Sequence, residues 1–170
     1  MKPDLVKLAL VSALAFLLQG CFVSTAPVLK PADAVYPFKS ISFKAENTIV
    51  TLTRKGDDYR NLNDDDSPNY LFYKIEDGVY VGQAAGKDKK GRLETLYGLV
   101  LFKDKKAEIL LPTCSDADEA DLKAAGIEKK DKWFIDQCQI KSLDQMKALW
   151  KQIRNKDVES QVLEIKSITK

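Results

Sequence analysis

From Pro37 onward the chain alternates short apolar runs with polar breaks. Thr48-Ile49-Val50-Thr51-Leu52-Thr53 is dense in β-branched residues and predicts a strand, with a shorter one at Ile41–Phe43. Lys55-Gly56-Asp57-Asp58 reads as a turn, and Tyr59 to Leu62 as its return strand. Residues 63–69 are a polar loop. Tyr70 to Ile75 and Val79 to Gly82 flank Glu76-Asp77-Gly78, where Asp-Gly supplies the positive φ angles of a tight hairpin. After an exposed loop at 87–92, a second hairpin joins Leu96–Lys103 to Ala107–Leu111 through Asp104-Lys105.

Two helices and two strands follow. Ser115 with Asp118 forms a capping box for a helix to Ala125, and Gly126 suits its C′ position. Trp133 to Ile140 is a strand. Ser142 with Gln145 caps a second helix, in which Leu143, Met146, Leu149, Trp150 and Ile153 share one face at 3.6-residue spacing. Gln161 to Ile168 is a final strand. Tyr70 and Phe72 point opposite to Leu71, Tyr73 and Ile75, and Leu99 and Leu101 opposite to Val100 and Phe102. A sheet with one wet face would alternate apolar with polar, so these strands are expected to be buried on both sides. The second helix can cover one face; the other needs the first helix, the curl of a barrel, a ligand or a partner. The expected fold is α+β: one domain with an antiparallel sheet of about five to seven strands and two short helices.

The first 20 residues follow a different pattern. Lys2 and Lys7 precede an uncharged run from Leu8 to Leu18, then Gln19, Gly20 and Cys21. A membrane helix needs roughly 17–25 apolar residues; this run suits the apolar core of a secretory signal peptide. Leu18-Gln19-Gly20-Cys21 resembles the lipobox of bacterial lipoproteins, with Leu at −3, a small residue at −1 and an invariant Cys. The resemblance implies that residues 1–20 are removed and that Cys21 carries a diacylglyceryl group, often with an N-acyl chain. Two or three acyl chains hold a protein to a bilayer essentially without dissociation, since each buried CH₂ contributes about 0.8 kcal/mol. Phe22 stands where some relatives carry the Asp that signals inner-membrane retention, so the outer membrane of a Gram-negative cell is expected. The other readings are cleavage after Ala26, which would leave Pro27 just past the cut, a cytosolic core helix over 5–18, and an uncleaved anchor. Pro27, Pro31 and Pro37 make residues 21–36 an extended tether, with residues 37–170 the globular domain; Val28, Leu29 and Val35 could instead pack on that domain.

Composition narrows the function classes. The chain has 27 Lys and Arg against 25 Asp and Glu, interleaved as in Lys103-Asp104-Lys105-Lys106-Ala107-Glu108, with no clustered basic footprint for nucleic acid. It has no His, which removes the usual general base near neutral pH and every Ser-His-Asp or Cys-His arrangement. With Cys21 lipidated, Cys114 and Cys138 remain, and an exported chain meets an oxidising compartment, so a disulfide between them is expected. Two buried thiols or a redox pair are the alternatives, the latter without a C-x-x-C motif. Asn61, Asn63 and Asp65 alternate like a calcium loop, but Asp66 and Phe72 occupy the places of its Gly and Glu. A weak surface site at Asp64-Asp65-Asp66, or an acidic contact, is the residual reading. Asp116, Asp118 and Asp121 fit helix capping, and Glu76 and Asp77 fit a turn. Gly82, Gly86 and Gly91 lack the spacing of a phosphate loop.

No catalytic residue, metal site or cofactor is expected. The expectation is a non-enzymatic envelope lipoprotein, structural or protein-binding, anchored by lipid with its domain in the periplasm or at the cell surface and an envelope protein as possible partner. The alternatives are an inhibitor of a periplasmic or host enzyme, using the loops at 63–69 or 86–92 by analogy with lysozyme-inhibitor lipoproteins, and a small-ligand or lipid carrier.

Overall fold

The structure is a computed structural model that describes residues 22–24, 26–45, 48–64, 66–87, 91–132, 135–153, 156, 158 and 160–170, with side chains for all of these but 23, 130–132 and 135–137. The expected signal peptide and Cys21 lie outside these residues, as do Asp65 and Trp133.

Strands β2 (Ser40–Ala45), β3 (Thr48–Lys55), β4 (Asp58–Asn61), β5 (Asn69–Glu76), β6 (Val79–Lys87), β7 (Leu93–Lys103) and β8 (Lys106–Leu110) run up and down as antiparallel neighbours. The last strand, β11 (Ser160–Thr169), pairs antiparallel with both β8 and β2 and closes the ring. The result is an eight-stranded barrel. Three more strands extend outward from the first half of β7: β1 (Phe22–Ser24), then β10 (Ile135–Gln139), then β9 (Glu128–Lys132). Helices α1 (Glu119–Ala124) and α2 (Leu143–Ile153) lie with β9 and β10 in the segment between β8 and β11.

Mostly antiparallel pairing, two helices and a single domain agree with the sequence reading; the strand number does not. The sheet has eleven strands, eight of them closed, where five to seven were expected. Closure answers the question raised by the doubly apolar strands. One face of each barrel strand meets the others inside: Ile41, Phe43, Leu52, Tyr59, Phe72, Val100, Ala107 and Ile165 form one buried cluster with Phe38. Phe38 and Tyr59 lie 4.6 Å apart between centroids with their rings tilted by 45°, and Phe72 meets Tyr59, Phe38, Phe102 and Tyr80 edge-on at 5.4–6.4 Å. Eight strands leave an interior about wide enough for side chains, and these rings fill it. The opposite face of β5–β7, with Leu71, Val81, Tyr97 and Leu99, forms a second cluster outside the barrel with Met146, Leu149, Trp150 and Ile153 of α2. Strand β9 has no apolar alternation to reveal it; backbone pairing with β10 defines it.

Strand β7 is where the two architectures meet. On one edge its Thr95 and Leu96 pair with β1, while Leu99 to Lys103 pair with β8. Gly98 stands at the fork. A Cβ there would lie 2.9 Å from Leu111 Cδ2 and 3.1 Å from the Leu110 carbonyl, so only glycine lets the two chains approach. The β5–β6 turn also differs from its expected form. Gly78 alone takes a positive φ, 78°, and the register shifts between Lys74 and Glu76, so a bulge replaces the turn with two left-handed residues.

The first helix starts later than expected. Thr113 and Asp116 bond reciprocally and close a separate 3-10 turn at Cys114–Asp116, after which Ala117 is extended and α1 begins past Asp118. The Asp118 carboxylate, expected in the capping box, instead accepts from Lys156 Nζ at 2.8 Å, as does Asp121. In α2 the Ser142 hydroxyl accepts from Gln145 N as expected, but the Gln145 side chain accepts from Lys141 N and donates to the Gly126 carbonyl at 2.6 Å. That last bond ties the second helix to the end of the first.

Residues 22–24 and 26–36 pack on the domain instead of standing off it. Phe22–Ser24 is β1, paired parallel to β10 and antiparallel to β7, Leu29 is buried, and Val35 bridges to Phe72. The prolines allowed an extended tether, but Val28 and Leu29 pack on the outer face of the barrel and Val35 against its inner cluster. The folded unit therefore includes residues well before Pro37, among them Phe22.

Candidate functional site

Two features stand out on the outer face of β5–β7: the seam that holds residues 22–29, and a cleft beside α2.

The seam is built from a polar cluster inside an apolar face. Gln83 lies on β6 in the alternation Val79, Val81, Gln83, where an apolar residue would be expected. Its side chain accepts from Leu29 N at 2.8 Å and donates to the Leu29 carbonyl at 3.2 Å, closing both backbone groups of a residue that is 1% exposed. The Ser24 hydroxyl donates to the Ala26 carbonyl at 2.5 Å. Having spent its one proton, Ser24 must accept from the Tyr97 hydroxyl, 2.6 Å away, and Tyr97 accepts from Val28 N at 3.0 Å. Burial pushes the Tyr97 phenol above its usual range, while its bonds with Ser24 and Val28 pull it partly back. Ser24, Tyr97 and Gln83 thus all bond backbone groups of residues 26–29, while the buried Thr95 hydroxyl, opposite Ser24 in the β1–β7 pair, has no partner.

Below the seam, Phe22 is 0% exposed and meets the Trp150 ring edge-on at 6.3 Å. Cys114 and Cys138, the latter opposite Phe22 across the β1–β10 pair, form the expected disulfide with Cα atoms 5.4 Å apart. It fastens the 3-10 turn after β8 to β10, and so to β1. A groove of about 620 Å³ runs between residues 24–33 and 139–144.

The cleft has a volume of about 180 Å³. Tyr73, Ile75, Val79, Leu99 and Trp150 supply its apolar lining; Lys74, Lys147 and Lys151 face it against a single acid, Glu76. Lys74 pairs with Asp77 at 2.5 Å, and Lys147 lies 3.8 Å from Asp144 and 4.8 Å from the centre of the Tyr73 ring. The Tyr73 hydroxyl, and then the charge of Asp144, raise the Lys147 pKa. Lys151 makes no ion pair among the described residues. The Trp150 indole is 2% exposed, and its Nε1 has no hydrogen-bond partner. An unpaired buried donor of this kind costs about 1–3 kcal/mol.

The other sequence candidates are dispersed. Asp64 accepts from Asp66 N at 3.1 Å, and Asn61 from Asn63 N at 3.2 Å, so these side chains hold the loop's own turns. Among the described residues no three His, Cys, Asp or Glu side chains come together to hold a metal ion. Glu76 and Asp77 sit at the exposed hairpin end, apart from Asp116, Asp118 and Asp121. Gln83, Tyr97 and Ser24 were missed in the sequence; the one available signal was a glutamine breaking the apolar phase of β6. Among the described residues no helix is long and apolar enough to cross a membrane. No family model, no curated protein and no solved structure matches the chain.

Proposed function

We propose that this chain is a non-enzymatic cell-envelope lipoprotein: residues 1–20 are removed, Cys21 is acylated, and the barrel serves as a structural or protein-binding module on the periplasmic or outer surface of the outer membrane. The observation that carries the reading is the burial of Phe22, the residue after Cys21, in strand β1, which is paired on both edges. An acyl group on Cys21 would therefore stand one residue from packed chain. The Cys114–Cys138 disulfide suits an oxidising compartment.

Under this reading residues 27–37 are not a spacer, because they are packed. Acyl chains one residue from a buried strand leave almost no slack, since adjacent Cα atoms lie about 3.8 Å apart. The domain would ride against the bilayer in a fixed orientation. The carrier alternative loses its original motive, because both faces of the apolar strands are used, the inner one by a ring-filled interior.

Metabolic labelling with radioactive palmitate tests the proposal in the wild-type chain and in Cys21→Ser. The expected result is labelling and detergent-phase partitioning of wild type and loss of both in the variant. Equal labelling in the two proteins would overturn the anchor. Crosslinking of the lipidated protein in intact envelopes then asks for the partner.

A further inference from the structure

We propose that the domain meets an anionic lipid bilayer with the end of the molecule that carries the β7–β8 turn and the β9–β10 hairpin. Acylation of Cys21, proposed above, is the premise: it fixes the bilayer one residue from Phe22, and the strands then decide which end faces the headgroups. Strand β1 runs antiparallel to β7 and parallel to β10, and β9 runs antiparallel to β10. The start of β1 therefore points to the same end as the close of β7, the start of β10 and the close of β9. Both neighbours of β1 run on past it. Phe22 is level with Cys138, while β10 starts three residues further along, at Ile135, opposite Lys132 of β9. At about 3.3 Å per residue, that overhang is about 10 Å. On the other side Val23 is level with Leu96, and β7 continues to Lys103, where it pairs with Lys106. The point of attachment thus lies between two hairpins that run in its own direction.

The chemistry of that end suits a headgroup layer. Lys103, Lys105 and Lys106 are exposed and make no ion pair among the described residues. Strand β9 contributes Lys129, Lys130 and Lys132. Against these stand Asp104, Asp131 and Asp136 and, in the β5–β6 turn at the same end, Glu76 and an Asp77 already paired with Lys74. In the sequence Lys132 and Ile135 bracket Trp133-Phe134, and cations beside aromatic residues are the composition of interfacial segments. The loop at 61–69 lies at the opposite end, because β5 runs the same way as β7, and Asp64 and Asp66 are exposed there. Lysines beside the anchor are drawn to negative headgroups within a Debye length, and an acidic loop is held off, so the two ends together orient the domain.

The test reconstitutes the lipidated full chain on vesicles of phosphatidylcholine alone and on vesicles that also contain phosphatidylglycerol. Flotation with the vesicles reads the anchor; amide hydrogen exchange reads the face. On the anionic vesicles, exchange over 103–106 and 129–137 is expected to slow about fivefold or more relative to Cys21→Ser free in solution, the scale of one lysine held at an anionic surface, with 61–69 unchanged. The combined variant Lys103→Glu, Lys105→Glu, Lys106→Glu alters exposed side chains alone and should still float, but with the slowing at 103–106 lost. Flotation of the wild-type chain without slowing at these segments overturns the assignment of this face and leaves the anchor standing. Slowing confined to 61–69 does the same, as does slowing that is equal on uncharged vesicles and in the lysine variant. A wild-type chain that does not float overturns the anchor, and this face with it.

Discussion

Gln83 shows how much one side chain can decide. A leucine would continue the apolar phase of β6, yet the amide is what closes the N–H and C=O of Leu29 where water cannot reach them. Gln83→Ala strands both groups. At about 1–3 kcal/mol for each unpaired buried group, the variant is expected to lose about 2–6 kcal/mol of stability. Urea unfolding should show this as a lower midpoint with an unchanged slope. A loss below about 0.5 kcal/mol would mean that residues 22–29 are held by their apolar contacts alone. Tyr59 plays a comparable part in the inner cluster, where its hydroxyl donates to the Phe38 carbonyl at 2.6 Å. Burial raises its phenol pKa, and the Phe38 bond offsets part of that rise. Such pairings were invisible in the sequence because they join residues 21–73 positions apart, and no local pattern encodes them.

Among the elements, α2 was the most legible. Its five apolar positions share one helical face, and four of them, Met146, Leu149, Trp150 and Ile153, are buried in the structure. Local chemistry also forecast the 104–105 turn and most strand cores. Where it misled, a competing partner was responsible: Lys156 takes the Asp118 carboxylate from its cap, and Gly126 takes the Gln145 amide. The disulfide belongs to this scale because it joins elements. Cys114 and Cys138 are 24 positions apart, and closing a loop of that length is worth about 3 kcal/mol on the chain-entropy estimate. The double variant Cys114→Ala, Cys138→Ala should unfold at lower denaturant by about that amount. Equal stability of the two proteins would show that the bridge only fastens what packing already holds.

At the scale of the whole molecule, two cores share one wall. Strands β5, β6 and β7 bury one face in the barrel and the other under α2 and β1, so both layers draw on the same three strands. Phe72 sits at the centre of the inner cluster, in edge contact with four rings. Phe72→Ala is expected to cost about 3–5 kcal/mol, the usual range for a buried ring removed from a tight core, measured by thermal or denaturant unfolding. A much smaller loss would mean that the interior collapses around the gap. The free edge of the extension is β9, Glu-Lys-Lys-Asp-Lys, whose dense charge discourages edge-to-edge pairing with another chain.

The sequence by itself determined local events: the cores of the barrel strands, where their turns fall, and which face of α2 is apolar. Each of these rests on the identity and spacing of near neighbours, and spacing is legible in one dimension. Only the tertiary structure decided that the doubly apolar strands close into a barrel, that residues 22–36 lie on it, and that Trp150 lines a cleft beside Lys151. Those outcomes depend on which distant surfaces exclude water together, and burial is a property of pairs of surfaces rather than of either one alone.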